Sequence, residues 1–311
     1  MAIRALAAAF ITSLLPAFGA TAQFGSLSYE VIALPSGAMG DPAHPTDVGG
    51  IGGASLHIAN LIPKNGKEDP RRRLTQAEIS MASGVGFFHG PPGLADFVGT
   101  GFVAISRRVV VTAAHNFAQN GAWKSYVRGP DGELNARGAR FYSDACDRSY
   151  SISTIEVSSL SPNEDRSNDV GLVTLDEPVC SQAQPLIVLA LSDDNLQRMF
   201  EFAKVEMRSY MLVPAWQREA RGQPRVAKLI DEGMFTSYAD GETKKTVRFT
   251  ASILPGASGG PVVGKFSRRH PGTDVAVAVV VSEPLEGGAN TARVIDGELA
   301  AKIELLAREN P

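Results

Sequence analysis

Three residues of this 311-residue sequence have the side chains that nucleophilic attack on a carbonyl group requires. His115 ends the apolar run VVVTAAH, Asp169 begins DVGLVTL, and Ser258 lies between glycines in PGASGGPVV. A serine hydroxyl is almost never ionised at neutral pH, so it needs a base with a pKa near 7, and imidazole is the natural choice. A carboxylate bound to the other ring nitrogen fixes the histidine tautomer and stabilises the imidazolium. Together these residues predict acyl-transfer chemistry.

The letters around Ser258 also satisfy a second hydrolase pattern, G-x-S-x-G, through Gly256 and Gly260. In that architecture the serine lies where a strand turns into a helix, and an acid and then a histidine follow it in the chain. Here Pro261 and two valines follow, which favours a strand, and the only later histidine is His270 in a basic loop. The chain order His, Asp, Ser therefore argues against this second pattern.

Each of the three residues also has an ordinary structural interpretation. Taken alone, His115 fits a core histidine bonded to the backbone, Asp169 fits a turn cap, and Ser258 fits a small residue between glycines. Their combination and order favour the catalytic interpretation, because a nucleophile, a base and an orienting acid are all present.

The elements that must position these residues are short strands. From about Gly84 onward, runs of β-branched and aromatic residues alternate with turn residues, as in GTGFVAIS, RRVVVTAA, KTVRFTAS and DVAVAVVVSE. Many short strands without long helices between them predict an all-β barrel or sandwich. The segment SDDNLQRMFEFA predicts a helical turn between two sets of strands. Near the end of the chain, Leu299, Ile303 and Leu306 at helical spacing predict a helix, and Asp296 is its expected N-cap.

In this order the motifs resemble those of the chymotrypsin-like (trypsin-like) serine endopeptidases, and most of all their bacterial secreted members. The family signatures T-A-A-H, D-[IV]-[AG]-L and G-D-S-G-G-P are similar to residues 112–115, 169–172 and 256–261. The resemblance covers roughly residues 84–311. It implies two antiparallel six-stranded β-barrels with a C-terminal α-helix, the first barrel over residues 81–190 and the second over residues 191–311.

The resemblance also implies a role for each residue of the site. Ser258 is the nucleophile, His115 is the general base, and Asp169 orients His115. The N–H groups of Gly256 and Ser258 form the oxyanion hole, which stabilises the negative charge on the carbonyl oxygen. The family's disulfide beside the histidine is absent, since Asn116 follows His115 and no cysteine lies near Gly99.

The substrate-binding positions carried over from the family are Ser252, Val281 and Ser282. Ser252 resembles the floor of the specificity pocket, and because it is neutral, no strong preference for Arg or Lys is expected. Val281 resembles the pocket wall, and Ser282 is the expected polar neighbour of Asp169. The family's aspartate before the serine is replaced by Ala257. We therefore do not expect activation by an ion pair between that position and a newly formed N-terminus.

Cys146 and Cys180 are the only cysteines. In an exported chain an even pair usually forms a disulfide, which here would bracket the strand that begins at Asp169. The alternative is two buried thiols that act as small apolar side chains.

The N-terminal part of the sequence predicts export and processing. Residues 1–22 combine Arg4, an apolar run and small residues before a cleavage site at Ala22, as a signal peptide does. The alternative is a buried helix or a membrane anchor, but the run is shorter than the roughly 20 residues that a bilayer span needs. Residues 23–80 alternate too little for a stable sheet and are interpreted as a pro-segment or loosely packed extension. The run at residues 71–73, three arginines, is either a processing site or a solvated charge run.

Composition limits the remaining function classes. A formal net charge of -3 provides no general attraction to nucleic acid or to an anionic membrane. The five histidines show no pair at ligand spacing, so neither a metal nor an organic cofactor is expected. The sequence therefore predicts a secreted or periplasmic serine endopeptidase, a monomeric hydrolase made as a zymogen, that acts on protein or peptide substrates through an acyl-enzyme. The alternative is a catalytically inactive trypsin-like fold that serves as a protein-binding module.

Overall fold

The structure is a computed structural model. It describes residues 30–33, 82–90, 98–127, 138–162, 165–202, 204–212, 226–251, 253, 255–264, 275–282 and 290–311. The proposed signal peptide, most of the proposed pro-segment and Ser252 lie outside these ranges.

Within these ranges the chain forms strands and two helices. The first group of strands is β1 (Glu30–Ala33), β2 (Val85–His89), β3 (Gly99–Val103), β4 (Val109–Thr112), β5 (Ala118–Gln119), β6 (Ala122–Trp123), β7 (Arg140–Ser143), β8 (Arg148–Tyr150), β9 (Ile152–Val157) and β10 (Gly171–Leu175). The remaining elements are β11 (Ile187–Val188), α1 (Asp193–Phe202), β12 (Lys204–Leu212), β13 (Val226–Tyr238), β14 (Thr246–Phe249), β15 (Pro261–Gly264), β16 (Val275–Ser282), β17 (Asn290–Val294) and α2 (Gly297–Glu309).

The strands form two barrel-like sheets. In the second sheet, β16, β15, β12, β13, β14 and β17 follow one another, and pairing of β16 with β17 closes a six-stranded barrel, to which β11 adds in parallel. In the first sheet the order is β1-β9-β10-β4-β3-β2-β7-β8. Its end strands do not pair with each other among the described residues, so this eight-stranded sheet is a half-barrel. The predicted fold of two barrels with a C-terminal helix is confirmed. The first sheet differs from the prediction in detail, because it is open and not a closed barrel.

The short strand β1 lies in residues 23–80, where the sequence pattern favours no stable sheet. It pairs antiparallel with β9 over four residues, from Glu30 opposite Val157 to Ala33 opposite Thr154. A strand this short adds to a sheet because the neighbouring strand already presents its backbone N–H and C=O groups. Alternation within the segment itself is therefore not needed for this pairing.

A shared apolar cluster holds the two sheets together. It contains Phe87 and Tyr142 of the first sheet, Tyr210 and Val279 of the second, and the buried face of α2. That face carries the three apolar residues predicted from helical spacing, Leu299, Ile303 and Leu306. The Asp296 carboxylate accepts a hydrogen bond from the Leu299 N–H at 2.9 Å, as expected of the N-cap. The C-terminal helix is therefore part of the contact between the sheets.

Cys146 and Cys180 form a disulfide with their Cα atoms 5.8 Å apart. The bond joins the turn after β7 to the segment that follows β10. The expected pairing of the two cysteines is therefore present, and it braces the strand that begins near Asp169.

Removing this disulfide is expected to destabilise the fold substantially. The two cysteines are 34 residues apart, and closing a loop of that length constrains the unfolded chain by about 4 kcal/mol in the chain-entropy estimate. In urea titrations, the free energy of unfolding of the double variant Cys146→Ser/Cys180→Ser should be lower than that of wild type by about this amount. Reduced wild-type protein is the control and should unfold at the same urea concentration as the variant. Equal stability of oxidised wild type and variant would contradict this expectation.

Candidate active site

His115 lies in a 3₁₀ turn, Ala114–Asn116, just after the buried strand β4. Ala113 and Ala114 are fully buried, and their small side chains allow the turn to pack directly against the sheet. The His115 side chain is 22% exposed, so it can meet a molecule that arrives from solvent.

Asp169 is brought to the same place by strand pairing. Strands β10 and β4 are antiparallel with Gly171 opposite Thr112, so the start of β10 lies beside the end of β4. Another 3₁₀ turn, Arg166–Asn168, precedes Asp169, and the Asp165 carboxylate caps it by accepting from the Ser167 N–H. Residues 54 positions apart in the chain therefore meet at one end of the sheet.

The Asp169 carboxylate binds His115 at two points. One carboxylate oxygen lies 2.6 Å from His115 Nδ1, and the other accepts from the His115 backbone N–H at 2.9 Å. Asp169 is 2% exposed, so water competes little for these bonds. An ionised carboxylate only accepts hydrogen bonds, which assigns the ring proton to Nδ1 and leaves Nε2 to accept one.

The loop that carries Ser258 docks against the histidine turn. The Ser258 carbonyl oxygen accepts from the Thr100 N–H at 2.9 Å and from Asn116 Nδ2 at 3.2 Å. The next residue, Gly259, has φ +89°, and a Cβ there would overlap the Thr100 carbonyl oxygen and the Thr112 hydroxyl. Only glycine permits both this backbone conformation and this close approach.

Among the described residues, the N–H groups of Gly256, Ala257 and Ser258 in this loop donate no hydrogen bond. The Ala257 carbonyl accepts from the Gly260 N–H at 2.9 Å, and the Gly256 carbonyl accepts from Thr100 Oγ1 at 2.8 Å. Neither the Gly256 N–H nor the Ser258 N–H donates a hydrogen bond within the part of the chain that the structure describes. Two such donors in one loop can stabilise an oxyanion.

The substrate-binding positions are only partly described. Val281 is 1% exposed in β16, and Ser282 ends that strand opposite Thr291 of β17. Ser252 lies outside the described residues. The expected roles of these three residues in substrate binding stay predictions.

Sequence analysis missed a buried arginine that supports the Asp169 turn. Arg293 of β17 is 1% exposed, and its Nε donates to the Ser167 carbonyl at 2.5 Å. Its Nη2 also donates to Asp296, the N-cap of α2, at 2.8 Å. The available signal was a charged residue within an apolar strand. Because a charged side chain is rarely buried unless its donors are paired, such a residue is expected to bind a buried acceptor.

Two further side chains influence the histidine turn. The Tyr126 hydroxyl donates to the Asn116 carbonyl, and burial raises the pKa of Tyr126 well above its usual range. Burial lowers the pKa of Lys124, whereas the nearby Asp169 charge raises it. Lys124 and the carboxylate that orients His115 therefore lie close enough to interact electrostatically.

The described ranges contain no group of three or more His, Cys, Asp or Glu side chains arranged to hold a metal ion. No helix in the same ranges has the length and apolar character needed to cross a bilayer.

Comparison with known proteins decides the family. The sequence model of the trypsin-like peptidase domain matches residues 99–268, more than half of the chain. The chain belongs to the trypsin-like peptidase family. The resemblance to chymotrypsin-like serine peptidases that the three motifs predicted is therefore confirmed.

Solved structures agree with this assignment at the level of the fold. A Glu endopeptidase in complex with MPD has 13% sequence identity and a TM-score of 0.55, with 78% of this chain and 98% of that chain covered. The thermostable serine protease AL20, from an extremophilic microorganism, has 13% identity and a TM-score of 0.53, with 74% and 100% covered. No curated protein matches this trypsin-like peptidase in a sequence comparison.

Proposed function

We propose that this trypsin-like peptidase is a serine endopeptidase in which Ser258, His115 and Asp169 form the catalytic triad. The observation that carries the proposal is the pair of hydrogen bonds from the buried Asp169 carboxylate to the backbone and ring of His115. Docking of the Ser258 carbonyl against the residue that follows His115 supports the same assignment.

The proposed reaction is acyl transfer through the triad. Ser258 Oγ attacks the peptide carbonyl carbon while His115 Nε2 takes the hydroxyl proton, and Asp169 stabilises the resulting imidazolium. The N–H groups of Gly256 and Ser258 stabilise the negative charge on the carbonyl oxygen. His115 then gives its proton to the leaving amine, and an acyl-enzyme remains. A water molecule, deprotonated by His115, releases the acid and restores the Ser258 hydroxyl.

The cellular context is part of the same proposal. A disulfide persists in oxidising compartments, so the Cys146–Cys180 bond supports a secreted or periplasmic location. We take residues 1–22 as the signal peptide, residues 23–80 as a pro-segment or a loosely packed extension, and residues 81–190 and 191–311 as the two barrel domains. The expected substrates are proteins or peptides, and the mature protein is expected to be a monomer.

Reaction with a fluorophosphonate probe tests the nucleophile directly, because such probes phosphonylate an activated serine, with loss of fluoride. Wild-type protein should be labelled, and Ser258→Ala should not. Ser181→Ala is a matched control, since Ser181 is exposed on the surface, and it should be labelled like wild type. Absence of labelling in the mature wild-type protein, or equal labelling of Ser258→Ala, would overturn the proposal in favour of a binding module. Cleavage-site profiling of a peptide library should then show no strong preference for Arg or Lys.

A further inference from the structure

The serine loop of this chain cannot be held by a side-chain charge at its centre. Ala257 is 2% exposed and belongs to the apolar core of the second barrel. The carbonyl groups of Gly256 and Ser258, on either side of it, are partly buried polar groups that still need donors. Something other than residue 257 must therefore fix the conformation of the loop.

Thr100 of β3 supplies donors to both carbonyl groups. Its backbone N–H donates to the Ser258 carbonyl at 2.9 Å, and its Oγ1 lies 2.8 Å from the Gly256 carbonyl oxygen. The same hydroxyl accepts from the Tyr210 N–H at 3.0 Å and lies 3.0 Å from the Tyr210 carbonyl. Thr100 is fully buried, so these bonds form without competition from water.

Asn116 supplies a further donor to the loop from the histidine turn. Its Nδ2 group donates to the Ser258 carbonyl at 3.2 Å and to Thr112 Oγ1 at 2.9 Å. Asn116 is 1% exposed, and the space for its side chain exists because residue 99 is glycine: a Cβ at Gly99 would overlap the amide group. Asn116 therefore links the turn of His115 directly to Ser258.

We propose that Thr100 and Asn116 form a clamp that holds the oxyanion-hole loop in its active conformation. The Ser258 N–H belongs to the peptide between the two peptides whose carbonyls the clamp binds. Because peptides are planar, fixing both neighbours restricts the direction of that N–H. Thr100 lies in β3 of the first sheet and Asn116 in the turn after β4, so the clamp needs no charged side chain at position 257. Thr100 and Asn116 are positioning residues, and this inference rests on the proposed function.

The variant Thr100→Val tests the clamp, because valine keeps the shape of the side chain and removes only the hydroxyl. Removing one donor of an oxyanion hole usually lowers kcat by about 10²- to 10³-fold. Thr100→Val removes only a contact that positions such a donor, so we expect kcat to fall by about 10- to 100-fold. KM should change by less than about threefold, because the contact acts on the transition state more than on substrate binding. Thr100→Ser retains the hydroxyl and should retain most of the wild-type kcat.

The control is Thr174→Val, a buried threonine of β10 at the end of that strand remote from Asp169. It should leave kcat unchanged. All variants are expressed as full-length chains and, after the same processing, compared on one peptide substrate, below the melting temperature of each, together with the rate of fluorophosphonate labelling. Asn116→Asp is the second variant, because it puts an acceptor where Ser258 needs a donor and should also lower kcat with little change in KM.

The outcomes separate this inference from the proposed function. An unreactive wild-type protein would overturn the assignment of Ser258 as nucleophile. A reactive wild type, with Thr100→Val and Asn116→Asp both as active as Thr174→Val, would overturn the clamp alone. If Thr100→Val does not fold, the kcat of Asn116→Asp decides the question. A lower kcat in folded Thr100→Val, together with a nearly wild-type kcat in Thr100→Ser, supports the clamp.

Discussion

Asp169→Asn is expected to lower kcat by about 10⁴-fold while the fold remains intact. The oxygen of the asparagine amide can still accept from the His115 N–H. Its NH₂ group then faces His115 Nδ1, where the structure has a carboxylate oxygen at 2.6 Å. A donor at this place requires Nδ1 to be the acceptor, so the ring proton moves to Nε2. His115 then has no free nitrogen with which to take the proton of Ser258.

The measurement is kcat and KM on a peptide substrate, together with thermal unfolding. KM should change little, since Asp169 is buried behind His115 and 2% exposed. Asp176→Asn, an exposed aspartate just after β10, is the matched control and should behave as wild type. A loss of less than tenfold in kcat for Asp169→Asn would contradict the role of this carboxylate in fixing the histidine tautomer.

Lys228→Met is expected to destabilise the fold by about 3–5 kcal/mol, because it leaves a buried carboxylate without its partner. Lys228 Nζ lies 2.8 Å from an Asp144 oxygen and 2.9 Å from the Ala82 carbonyl, and it lies 5.1 Å from the Tyr210 ring centre. The Lys228 and Asp144 side chains are 2% and 9% exposed. Burial lowers the pKa of Lys228, and Asp144 opposes this change by raising it. The pair joins β13 of the second sheet to the turn after β7 of the first.

Urea titration at neutral pH measures this effect. Lys244→Met is the matched control, because its ion pair with Asp193 is about half exposed and should contribute little. The double variant Lys228→Met/Asp144→Leu should recover most of the lost stability, since the unpaired charge is then also removed. Equal stability of Lys228→Met and Lys244→Met would show that the buried pair does not hold the two sheets together.

Sequence and tertiary structure determined different features of this protein. The order of His115, Asp169 and Ser258 within their motifs was sufficient to predict the family, and alternation of short apolar runs was sufficient to predict strands. The C-terminal helix and its Asp296 cap were also predicted correctly. These signals are local, because strand periodicity and helix capping depend on residues within a few positions of one another.

Contacts between the two sheets could not be predicted in this way. Thr100 and Gly256 are 156 positions apart, Asn116 and Ser258 are 142 apart, and Arg293 and Ser167 are 126 apart. No local pattern marks such partners, because they meet only after strand register and sheet packing are established. The sequence by itself therefore determined the strands, the C-terminal helix and the candidate catalytic residues. The tertiary structure alone decided which buried donors support the Asp169 turn and the serine loop, since these depend on residues brought together from distant parts of the chain.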